Sequence, residues 1–122
     1  MKSSDIVAIG YGLLTIFICI IVASFIFSII IHFSSMNEFT LAIMTTVTSI
    51  ISLFLGGLIA GLKGKRRGWL IGVATGVFFT SFIFLIQYLG FDQTFSFEQT
   101  MYHLSFIFVA TLGSVFGVNL VK

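Results

Sequence analysis

The sequence predicts an all-α integral membrane bundle of four transmembrane helices, and three observations carry that prediction. Of 122 residues, 58% are hydrophobic and only 8% charged, whereas a soluble domain carries roughly a quarter charged residues. Too few charges remain to solvate a globular surface, which argues against a water-soluble enzyme. Four stretches, residues 6–31, 39–62, 69–89 and 101–121, reach the ~20 apolar residues that cross ~30 Å of hydrocarbon. These stretches contain no proline and are apolar all round, whereas barrel strands would be ~10 residues long and alternate apolar with polar.

The first helix runs from Ile6 to Ile31 without a charge. It is about twice a signal-peptide core, and no small-x-small cleavage site follows, so it is read as a permanent span that tilts to fit the bilayer. Bulky Ile18 and Ile20 flank Cys19, which speaks against lipoprotein processing, and a single cysteine cannot form an intramolecular disulfide. Helix 2 covers Phe39 to Leu62, helix 3 Trp69 to Leu89, and helix 4 about Met101 to Val121. The joining segments, Phe33–Glu38, Lys63–Gly68 and Gly90–Thr100, are short enough to make sequential helices antiparallel neighbours within one transmembrane domain spanning 1–122.

Orientation follows from charge. All six Lys and Arg, namely Lys2, Lys63, Lys65, Arg66, Arg67 and Lys122, fall at the N-terminus, the middle loop or the C-terminus. The other two loops hold only Glu38, Asp92 and Glu98. Basic loops stay cytoplasmic, so both termini are expected inside, in a multi-pass membrane protein. Lys63, Lys65, Arg66 and Arg67 are expected to contact anionic lipid, and Trp69 to anchor that interface. Tyr88, Tyr102 and His103 mark the outer interface, and Phe91, Phe95 and Phe97 place the third loop on the outer surface. The same position near the outer boundary accounts for His32 without a metal, and Gln87 and Asn119 are read as interfacial.

Lipid is as apolar as leucine, so association needs close backbone approach and interhelical hydrogen bonds. Small-residue stripes supply the first: Gly56, Gly57 and Gly61 on helix 2, Gly72 and Gly76 on helix 3, Gly113 and Gly117 on helix 4. Thr45, Ser49 and Ser52 form a hydroxyl stripe on helix 2. Bonding to their own preceding carbonyls accounts for it, and a polar solute path is the alternative. A constant shift aligns Ser24-Phe25-Ile26-Phe27 with Ser81-Phe82-Ile83-Phe84, Met44 with Met101, and Leu55-Gly56 with Leu112-Gly113. This suggests a weak duplication of two antiparallel hairpins about a pseudo-twofold axis along the membrane normal.

The run Gly56-Gly57-Leu58-Ile59-Ala60-Gly61, then Lys63-Gly64-Lys65-Arg66-Arg67-Gly68-Trp69-Leu70-Ile71-Gly72, closes on Val73-Ala74-Thr75-Gly76. It resembles that of the YrzE-type family, small four-helix membrane proteins of low-GC Gram-positive bacteria with no established activity. The resemblance implies a bacterial plasma-membrane location and transfers no catalytic residue.

No catalytic, cofactor-binding or metal-binding set is read from the residues: no carboxylate is paired with a histidine, and no second cysteine supports a metal site. A net charge of +2 gives no nucleic-acid footprint. Small multidrug exporters match in size, but they use a membrane-embedded carboxylate, whereas Asp5, Glu38, Asp92 and Glu98 fall at ends or in loops. The expected role is that of a structural or accessory component that packs against lipid and against itself, as a homo-oligomer, or within a larger membrane complex. The alternative is an oligomeric channel or transporter subunit with a polar path along helix 2.

Overall fold

The computed structural model describes residues 3–35, 37–94 and 96–121; Lys2, Phe95 and Lys122 lie outside them. Four helices account for nearly all of it: α1 Ser3–Phe33, α2 Glu38–Gly64, α3 Gly68–Phe91 and α4 Phe97–Leu120. All four are long and apolar enough to cross a membrane.

Several helices extend past their apolar runs because capping groups, rather than hydropathy, set those ends. Asn37 accepts a hydrogen bond from the Thr40 amide at 2.7 Å and starts α2 at Glu38. Ser96 accepts one from the Gln99 amide at 3.1 Å and starts α4 at Phe97, ahead of the Met101 expected from hydropathy. Most of the third loop is therefore helical: Phe91 closes α3 and Phe97 opens α4. At the other ends, Lys65 and Asp92 adopt left-handed backbone with φ of 66° and 55°. Their amides bond back to Gly61 and Tyr88 at 2.9 and 3.0 Å, turning the chain sharply.

The helices form a ring in the order α1–α2–α4–α3, with α2 and α3 also touching across the short diagonal. Two hairpins, α1–α2 and α3–α4, are antiparallel. Gly12 meets Gly56 and Ala60 in the first, and Gly68, Gly72 and Gly76 meet Val115, Thr111 and Ile107 in the second. Sequential α2 and α3 are only diagonal neighbours. The most extensive packing joins α2 to α4, which run parallel: Gly57 faces Ala110, Gly61 faces Ser114, Gly113 faces Phe54 and Gly117 faces Leu58.

Those contacts are reciprocal. Exchanging α2 for α4 carries the Gly57–Ala110 contact onto Gly113–Phe54, and Gly61–Ser114 onto Gly117–Leu58. The register pairs Gly57 with Gly113, one residue off the sequence alignment of Gly56 with Gly113. The twofold relation holds at this crossing and fails at the periphery, because α1 touches α3 while no contact joins α1 to α4 among the described residues.

Burial is concentrated at the end that holds the Lys65–Arg67 turn, which forms a hinge between the two hairpins. Ile16, Leu53, Phe79 and Ala110 form one fully packed cluster, and Ile9, Ala60 and Ile71 a second beside the hinge. Beyond Ile16 in α1 and before Ser52 in α2, no described residue is fully buried. The bundle is thus tight near the hinge and open at the distal end.

Candidate functional site

The distal opening produces a cleft between α2 and α4 with a cavity of about 540 Å³. Its α2 wall carries Thr45, Thr46 and Ser49, and its α4 wall Gln99, Tyr102 and His103. Glu38 and Glu98, each in the first turn of its helix, also line it, with Leu41 and Phe106 supplying apolar surface. A smaller cavity of about 260 Å³ lies on the other side of α2, against α1, and shares Thr45 and Ser49.

Hydroxyls of the α2 stripe divide between two environments. Ser52 is buried and donates to the Thr48 carbonyl at 2.9 Å, which satisfies it within its own helix. Thr45 and Ser49 line the cleft. Below Ser52 the way is closed by Ile16, Leu53, Phe79 and Ala110, so among the described residues the cleft is blind.

His103 departs from the interfacial position expected of it. It is 7% exposed, lies 3.1 Å by Nδ1 from Thr80 Oγ1, stacks on Phe79 at 5.9 Å and meets Phe106 edge-on at 5.2 Å. The earlier start of α4, at Phe97, places His103 in its second turn, facing α3. Gln87 is likewise engaged: its amide and that of Gln99 exchange hydrogen bonds of 3.1 and 2.7 Å across the α3–α4 hairpin. These pairs hold the distal ends of α3 and α4 together where their apolar packing thins.

At the hinge, Asp5 stands at the end of a helix, as expected, and is buried there. It sits in the first turn of α1, is 1% exposed, and lies 3.7 Å from Arg66. Lys63 reaches over the Tyr11 ring at 4.9 Å. Lys65, Arg67 and Trp69 are exposed, and with Asn119 they border a separate cavity of about 380 Å³. Among the described residues no three His, Cys, Asp or Glu side chains come together as metal ligands do.

Gly56, Gly57, Gly61, Gly72, Gly76, Gly113 and Gly117 all face another helix of the same chain at near-contact distance. Their small surfaces are therefore taken up inside the bundle, and an oligomer would have to use other faces.

A family profile described as "Protein of unknown function (DUF3792)" matches residues 5–117. The chain belongs to this DUF3792 family. It is 44% identical over 110 residues to the uncharacterized membrane protein YrzE of Bacillus subtilis (strain 168), which covers 90% of this chain and 73% of that one. No solved structure matches it. The resemblance carried by the Gly56–Gly76 run thus extends along most of this DUF3792 chain, which is a membrane protein built as a four-helix bundle. The sequence signals that mark the hinge and the glycines belong to its packed half; the cleft needed the tertiary arrangement, because its two walls are separated by a whole hairpin.

Proposed function

We propose that this DUF3792 protein is a non-enzymatic, multi-pass component of the bacterial plasma membrane that acts through contacts of its helices, as a structural or accessory part of a larger assembly. The supporting observation is the blind cleft. Its polar surface, with Thr45 and Ser49, ends on the packed cluster of Ile16, Leu53, Phe79 and Ala110, an arrangement suited to holding something and not to passing a solute.

Purified protein in liposomes is expected to give ion and small-solute flux no greater than empty vesicles, and native purification to return one membrane partner in constant proportion. The channel reading draws on Thr45 and Ser49 facing the cavity. Solute-specific flux that Thr45→Val or Ser49→Val abolishes would establish it in place of the accessory role.

The same proposal sets both termini and the hinge in the cytoplasm. Asp5 meets Arg66, and Val118 and Asn119 border the hinge cavity, so the start of α1 and the end of α4 share the hinge end. Lys63, Lys65, Arg66 and Arg67 would hold that end inside. A reporter enzyme active only outside the cytoplasm should be inactive at the C-terminus and active when inserted after Ser34; the reverse pattern would invert the topology.

A further inference from the structure

We propose that the cleft between the distal halves of α2 and α4 binds a lipophilic cation, entered from the membrane leaflet opposite the hinge. Its volume of about 540 Å³ lies within the ~300–1,000 Å³ typical of small-molecule sites. The body of the ligand is set by the walls, where Leu41, Tyr102 and Phe106 offer apolar and aromatic surface.

The sign of its charge is set by Glu38 and Glu98, which line the same cavity from two helices. No Lys or Arg occurs from Asp5 to Leu62 or from Gly68 to Val121, so every Lys and Arg of the described helices and loops lies at the hinge end, and the basic group lining the cleft is the imidazole of His103. The cleft therefore holds two carboxylates and no Lys or Arg beside an apolar wall, which focuses field lines and gives it negative potential. A cation there gains from both carboxylates and from the Tyr102 ring face. An anion of the same shape is repelled, and a neutral lipid gains only dispersion. A hydrophilic ion has no use for the aromatic wall, and a bare metal ion lacks a cluster of ligands among the described residues. Because the cleft is blind toward the hinge, such a ligand is retained in the leaflet it came from.

The test is equilibrium binding to the full chain in phosphatidylcholine nanodiscs, with empty discs subtracted. The probes are tetraphenylphosphonium and tetraphenylborate, which share shape and apolarity and differ in sign. Tetraphenylphosphonium should bind saturably and about tenfold or more tighter than tetraphenylborate. Glu38→Gln with Glu98→Gln should erase that preference. Asp92→Asn, which removes a carboxylate at the same end but outside the cleft lining, should preserve it. Thr45→Phe should obstruct the cavity and abolish saturable binding, with unchanged melting in the absence of probe showing that each variant is folded. Equal binding of the two probes, binding no greater than in empty discs, a preference that survives the double glutamine variant, or an equal loss on Asp92→Asn would each overturn the proposal.

Discussion

Leucine at Gly57 or Gly61 is expected to lower the stability of the bundle sharply. A Cβ at Gly57 would run into the backbone of Ala110, and one at Gly61 into the backbone of Ser114, with second-nearest atoms at 2.9 Å in both cases. Backbone cannot rotate aside as a side chain can, so α2 and α4 must part along their whole crossing. Overpacking of this kind costs about 2–3 kcal/mol, which corresponds to a fall in Tm on the order of 10 °C. Gly10 and Gly90 have nothing within 4 Å of the position a Cβ would take, so leucine there should leave Tm nearly unchanged. Thermal unfolding in a mild neutral detergent checks both halves. If Gly57→Leu melted like Gly10→Leu, the parallel α2–α4 crossing would be wrong.

The second large effect belongs to the hinge. Arg66→Ala removes a cation 3.7 Å from a carboxylate that is 1% exposed, while the arginine side chain itself is 39% exposed. Losing one partner of a fully buried pair costs ~3–5 kcal/mol. The partial exposure of Arg66 lets water screen the pair and reduces this to about 1–2 kcal/mol. Asp5→Asn removes the other member of the pair, so the loss in the double variant Asp5→Asn/Arg66→Ala should be smaller than the sum of the two single losses. Melting of the two singles and the double closes the cycle; simple additivity would show that the two side chains do not interact.

The α2–α4 crossing and the hinge pair differ in how far the sequence reveals them. Spans are legible because crossing lipid imposes a minimum apolar length, and residues 39–62 and 69–89 fall wholly within α2 and α3. Their expected ends fall short because hydropathy carries no information about caps. Ser96-Phe97-Glu98-Gln99 has the spacing of a capping box and would move the start of α4 to Phe97. Glycine stripes stand out, since only small residues allow backbones to touch, but the partner of each stripe does not. Lipid ranks no helix face above another, so nothing in Gly57 and Gly61 names Ala110 and Ser114. The burial of Asp5 and His103 is hidden from the sequence for a related reason. Position along the chain gives depth in the membrane, whereas whether a side chain faces the bundle or its surroundings depends on rotation about the helix axis. The same limitation hides the cleft, since Glu38 and Glu98 come to line one cavity only through the parallel pairing of α2 with α4.

The left-handed turn at the hinge carries a compromise of its own. Lys65 and Arg67 hold positive φ angles of 66° and 51°, a conformation that glycine adopts freely and other residues adopt under strain. Glycine at either position would relax the peptide chain and simultaneously delete a charge from the segment that, in the proposed topology, would resist export. In that topology, ease of folding and fidelity of insertion pull in opposite directions at these two residues, and the side chains present are those that favour fidelity.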